Sequence, residues 1–115
     1  MKIVLCCSYH FYPDVWRIKK ELEEIGHEVL MPRSMELKLS PSDKLSQTIK
    51  QKRDFMLGTA DKIRKSDAIL VVNNTKNGEE SYIGGATFFD MLVAFLEKKR
   101  IYLLNSIPKN KYFRE

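Results

Sequence analysis

The chain has 115 residues, 43% of them hydrophobic and 30% charged, with a formal net charge of +5. Those values are the ones of an ordinary soluble globular protein, and the length predicts a single domain over residues 1–115. No apolar run approaches the ~20 residues of a membrane span, and two cysteines are too few for a disulfide framework or a zinc site.

The chain opens with KIVLCC, Lys2–Cys7, an uninterrupted apolar run that predicts a strand buried on both faces. MKIVLCC is too short, and too soon broken by Ser8 and His10, for a signal peptide, so a cytoplasmic setting is expected. Cys6 and Cys7 are adjacent, and neighbours on a strand point to opposite faces, so reduced structural thiols are expected rather than a bridge. Ser8–Pro13 (SYHFYP) is the turn after this strand. Asp14 fits an N-cap or a first-turn acid, and Val15, Ile18, Leu22 and Ile25 recur at helical spacing. Gly26 supplies a C-cap, and His27–Met31 forms a second strand ended by Pro32.

Arg33–Pro41 is a loop, and Pro41-Ser42-Asp43 is a helix-start signal. The helical pattern from Lys44 to Lys65 has Leu45, Ile49, Phe55 or Met56, Ala60 and Ile63 as its expected buried seam, with Gly58 placed to kink or split it. Ala68–Val72 is a third apolar strand. A polar loop (Asn73–Ser81) and Gly84-Gly85 follow it. A helix is expected over Ala86–Glu97, with Phe88, Met91, Leu92, Phe95 and Leu96 at helical spacing. Lys98-Lys99-Arg100 closes it with cations that suit the dipole, and Ile101–Leu104 is a fourth strand.

The order β-α-β-α-β-α-β predicts an α/β, three-layer sandwich of flavodoxin-like or Rossmann-like type. Its parallel sheet has about four strands in the order 2-1-3-4, with helices on both faces. Ligands in such sheets bind beyond the carboxyl ends of the strands, at the switch point between strands 1 and 3. SYHFYP and NNTKNGEESYIGG therefore face one crevice. Asn73 begins the second of these segments.

Asp90 lies in the first turns of the third helical pattern. It reads either as a dipole-stabilising acid or as a nucleophile able to form a glycosyl ester. Gly84-Gly85 permits close approach of a ligand to the helix start, although a glycine pair also serves plain turns. Ser8, Tyr9 and His10 can bind a phosphate or sugar hydroxyls. Tyr82, Phe11, Tyr12 and Trp16 can stack a base, with core packing the alternative for each. The positive charge is spread along several helices without a nucleic-acid module signature, so solvated helix faces account for most of it.

KIVLCCS, ELEEIGHEV, SDAILVVN and above all YIGGATFFDMLVAFLEKKRIYLLNSIP resemble the nucleoside 2-deoxyribosyltransferase-like family over most of the chain. The resemblance implies a flavodoxin-like fold. It also implies cleavage or transfer of the N-glycosidic bond of a 2′-deoxynucleoside or its 5′-monophosphate, with neither cofactor nor metal. The expected partners are thus a small-molecule nucleoside or nucleotide and a homo-oligomer, without membrane or nucleic acid. Tyr102 to Phe113 is the expected contact surface between copies. The family's nucleophilic glutamate falls on Asp90, which keeps the carboxylate but is one methylene shorter. Its polar residue six positions earlier falls on Gly84, its polar group on the preceding helix on Thr59, and its strand-1 glycine on Cys7, while Ser8 is kept. Asp90 is thereby the implied catalytic residue, with Ser8, Tyr9, His10, Asn73, Tyr82, Gly84 and Gly85 around the substrate. The altered positions also admit an alternative, a catalytically degenerate nucleotide-binding module of the same fold.

Overall fold

The computed structural model describes residues 1–37, 47–110 and 113. Four strands form one sheet in the order β2-β1-β3-β4, all parallel. They are β1 (Lys2–Cys6), β2 (Glu28–Leu30), β3 (Ala68–Val71) and β4 (Arg100–Leu103). The central pair, β1 and β3, is in register from Ile3 opposite Ala68 to Cys6 opposite Val71. The helices are α1 (Tyr12–Glu24), the single turn α2 (Arg33–Glu36), α3 (Ile49–Arg64) and α4 (Gly85–Leu96). None of the described helices is long and apolar enough to cross a membrane.

Strand alternation sorts the core into two layers. Val4, Cys6, Ile69 and Val71 pack with Ala60, Ile63, Val93 and Ala94 of α3 and α4. Leu5 and Val72 pack on the other face with Phe11, Val15 and Ile18 around α1, and with Met31 and Met35. The chirality of parallel crossovers dictates this division. The connection from β1 to β2 runs one way along the sheet and the later two run the other, so right-handed crossovers fall on opposite faces.

Local signals set the ends of most elements. Gly26 stops α1 at φ 98°, with His27 N–H donating to Leu22 O at 3.1 Å, and Ile25 is left 71% exposed rather than in the seam. The start signal at Pro41-Ser42-Asp43 and the seam residue Leu45 lie outside the described residues. The described helix α3 is capped by Thr48, whose Oγ1 accepts from Gln51 N–H at 3.1 Å while Gln51 Oε1 accepts from Thr48 N–H at 2.9 Å. Ile49, expected inside, is 88% exposed on the first turn. The helix runs through Gly58 unbroken.

The largest departure concerns α4. Its buried residues are Thr87, Asp90, Val93 and Ala94. Of the expected seam, Met91 packs against the core, whereas Phe88, Leu92, Phe95 and Leu96 are exposed. The helix is apolar on nearly every side, so spacing alone could not choose the inward face. Tertiary packing chose the small residues, which let the helix approach the sheet closely, and it took Asp90 inward with them.

Candidate active site

A cavity of about 400 Å³ opens beyond the carboxyl ends of β1 and β2, between the loop after β1, the segment after β2 (Pro32 and Met35), α3 and the start of α4. Six of the eight site residues expected from the sequence line it: Ser8, Tyr9, Tyr82, Gly84, Gly85 and Asp90. His10 does not. The 3-10 turn Tyr9–Phe11 advances by about a third of a circle per residue. Tyr9 therefore faces the cavity, His10 is turned to solvent and Phe11 enters the core, while Ser8, the extended residue that caps the turn, also lines the cavity.

Asn73 is also outside the cavity wall. It is fully buried, and its side chain ties the end of β3 to the chain after β4. Asn73 Oδ1 accepts from Asn105 N–H at 2.8 Å, and Asn73 Nδ2 donates to Asn105 O and Ser106 O at 3.2 and 3.0 Å. Asn105 Nδ2 returns the contact to Asn73 O, at 3.1 Å, and to Asn74 Oδ1, at 2.9 Å. A buried side chain satisfied this completely by main-chain partners has a structural role that explains it.

Asp90 is the chemical centre of the cavity. It is only 8% exposed, one turn after Thr87 and one turn before Val93 and Ala94 on the inward face of α4. Burial raises its carboxyl from an ordinary 3.8 to about 7, and a hydrogen bond with the Cys6 thiol opposes part of that rise. Such a group changes charge near neutrality. The two thiols behave differently from surface cysteines. Burial, followed by the charges of Asp90 and Asp14, pushes Cys7 up to about 12, and burial raises Cys6 as well. Both are free and protonated at neutral pH, and Cys7 lines the cavity. Among the described residues no three His, Cys, Asp or Glu side chains gather in a metal-holding cluster.

Gly84 caps the start of α4 without a side-chain bond. The Tyr82 phenol fills the space beside it: a Cβ at Gly84 would meet the Tyr82 oxygen at 3.1 Å. On the opposite wall, Thr59 is buried, with Oγ1 donating to Phe55 O at 3.1 Å. Lys52, Phe55 and Met56 of α3 complete that wall. Phe55 or Met56 was expected only as core seam and Lys52 was not singled out, because the crossing of α3 over the strand ends is a tertiary fact.

Lys76 was also missed, and a local signal for it existed. Asn77-Gly78 is the dipeptide of a tight hairpin turn with two positive φ angles, observed at 51° and 80°. The turn is closed by Lys76 N–H to Glu79 O at 3.0 Å and Glu79 N–H to Lys76 O at 2.9 Å. It carries Lys76 Nζ to 3.3 Å from Ser8 Oγ and 4.7 Å from the centre of the Tyr82 ring.

This architecture is shared with solved structures. A 2-deoxyribosyltransferase from Bacillus psychrosaccharolyticus aligns at a TM-score of 0.67 and 16% identity, over 90% of this chain and 71% of its own. The chain has the 2-deoxyribosyltransferase fold. A 2-deoxyribosyltransferase from Leishmania mexicana aligns at 0.60 and 17% identity, over 89% and 62%. The CMP N-glycosidase of Clostridium botulinum aligns at 0.51 and 18% identity, over 90% and 70%. No family model and no curated protein matches by sequence. The resemblance read from the sequence motifs is thus met at the level of three-dimensional structure.

Proposed function

We propose that the chain is a 2-deoxyribosyltransferase-like enzyme that cleaves or transfers the N-glycosidic bond of a 2′-deoxynucleoside or its 5′-monophosphate, with Asp90 as nucleophile. The observation that carries this reading is a carboxyl only 8% exposed, on the wall of a 400 Å³ cavity at the strand ends of this fold. An acid buried solely for packing would not be on a cavity wall, where its carboxylate can meet a small molecule.

In the step proposed, an Asp90 carboxylate oxygen bonds to C1′ while the C1′–N bond breaks and its electron pair leaves with the base. Water then attacks C1′ of the glycosyl ester to give the free sugar, or a second base attacks to give a new nucleoside. Only the ionised carboxylate can begin this sequence. Tyr82, whose oxygen occupies the side-chain space beside Gly84, supplies a polar group at the position where the resembled family carries one. Ser8 and Tyr9 hold the sugar or its substituent.

The free thiols Cys6 and Cys7 suit a reducing, cytoplasmic setting. Phe88, Leu92, Phe95 and Leu96 lie at i, i+4, i+7 and i+8, one stripe on α4, and Phe113 meets Phe88 edge-on at 5.5 Å. A second copy of the chain is the proposed cover for that stripe, because exposed contiguous apolar surface marks an interface.

The test is chromatography of the protein incubated with 2′-deoxynucleosides and their monophosphates, with and without a second free base, beside an Asp90→Asn control. Base release by the wild type alone supports the reading. Base exchange makes it a transferase. Equal release by Asp90→Asn removes Asp90 from the chemistry.

A further inference from the structure

The hairpin after β3 holds a cation against two residues of the cavity wall, Ser8 and Tyr82, without neutralising it. Lys76 is half-buried, and no described carboxylate pairs with it. The ammonium is instead held by the Ser8 hydroxyl at 3.3 Å and by the face of Tyr82 at 4.7 Å. Such contacts locate a cation but leave its charge and some of its donors available.

The hairpin also separates its charges. Its acids, Glu79 and Glu80, line a different depression with Lys109 and Asn110, while Lys76 turns back toward Ser8 and Tyr82. The turn geometry enforces this arrangement, since Lys76 and Glu79 are a closed antiparallel pair across Asn77-Gly78. On the cavity wall itself the only described charged side chains are Asp90 and Lys52.

Ser8 sharpens the picture. Its Oγ accepts from Lys76 Nζ and, at 3.4 Å, from His10 N–H. Both of its acceptor sites are then in use, and its hydroxyl proton is free to be donated. A free hydroxyl donor beside an unneutralised ammonium is a recognition element for an anion, not for a neutral hydroxyl.

We infer that Lys76, with Ser8, is the determinant that selects a 5′-phosphorylated ligand over the corresponding nucleoside at this site. The inference rests on the proposed glycosidic reading, which puts the sugar's C1′ at Asp90. A furanose bears its base at C1′ and its 5′ substituent on C4′, on either side of the ring oxygen. One cavity lined by both Asp90 and Ser8 thus accommodates the two ends of a nucleotide. Tyr82, under the ammonium and over Gly84, joins the two halves of the wall.

The test is calorimetric titration of the wild type, Lys76→Met and Lys76→Arg with 2′-deoxynucleoside 5′-monophosphates, the matching nucleosides, and 2-deoxyribose 5-phosphate. The expected result is a preference of about tenfold or more for monophosphate over nucleoside in the wild type. Lys76→Met is expected to lose it with nucleoside binding unchanged, and Lys76→Arg to retain it. Binding of 2-deoxyribose 5-phosphate that also weakens in Lys76→Met supports the same assignment. An equal affinity of the wild type for both ligand classes, or a preference unchanged in Lys76→Met, overturns it. Base release from unphosphorylated nucleosides that requires Asp90 would then still uphold the glycosidic reading, so the two failures are distinct.

Discussion

Helices α1 and α4 flank the same sheet but solve opposite problems. α1 is amphipathic in the ordinary sense: Val15 and Ile18 are buried against the sheet, and Arg17 pairs with Glu21 on the solvent side. α4 reverses the rule. It leaves Phe95 69% and Leu96 76% exposed and puts the ionisable Asp90 inside. An element that gives up core volume to bury an acid is shaped by something besides stability, since burying a charge costs free energy that a larger apolar residue would not. α1 supports the scaffold, and α4 supplies the acid on the cavity wall.

The sharpest way to break this contrast is Asp90→Asn, which on the proposed reading lowers turnover by three orders of magnitude or more. Chromatographic base release measures it, and near-wild-type turnover would remove the functional reason for α4's inversion. For α1 the equivalent loss is one of folding. Ile18→Ala should destabilise by about 2–5 kcal/mol in urea unfolding, with any change in activity following the fraction folded.

The acid also leaves a signature in stability against pH. The folded carboxyl titrates at about 7 and the unfolded one near 3.8, so the folded state holds the extra proton between those values. Stability contributed by this group is therefore full below about pH 4. It falls as pH rises toward 7, by up to about 4 kcal/mol, and levels off above. Asp90→Asn should remove this slope and exceed the wild type in stability at pH 8. Parallel urea midpoints for the two proteins from pH 4 to 8 would contradict the burial of a titrating acid. On the proposed reading, turnover needs the ionised form and should rise through the same region as stability declines.

The smallest effect on folding is expected on the outer stripe of α4. Phe95→Glu should change stability by no more than about 0.5 kcal/mol, because the ring is already mostly in water. Light scattering should show a lower molecular mass than for the wild type if that stripe joins two copies. An unchanged mass would leave the aromatic surface without the occupant proposed for it.

Sequence reasoning reached different depths in these regions. The four strands were legible because each is a short apolar run with clear stops, and the strand order was read from the doubly wound pattern that puts the switch point between strands 1 and 3. Gly26 was legible as a helix stop because the left-handed conformation it adopts strongly favours glycine. The inward phase of α4 was not. Phe88, Leu92, Phe95 and Leu96 form as good a seam as Thr87, Asp90, Val93 and Ala94, so periodicity offered two solutions.

At the site, Asp90, Ser8 and Gly84-Gly85 were readable as an acid and a turn placed after strands. His10 and Asn73 failed as wall residues for reasons of local geometry: the rotation of a 3-10 turn in one case, and a bonded neighbour 32 residues away in the other. Lys76 and the α3 wall belong to the site only through contacts between segments distant in the chain.

The sequence by itself determined the succession of elements, the handedness of their connections and the end of the sheet that would hold a site, because these depend on local patterning and chain chirality. Only the tertiary structure decided which face of α4 turned inward, how far the carboxyl of Asp90 was removed from water, and which cation stood beside Ser8. Burial and charge proximity are properties of neighbours in space, and a linear pattern with two equivalent faces does not specify them.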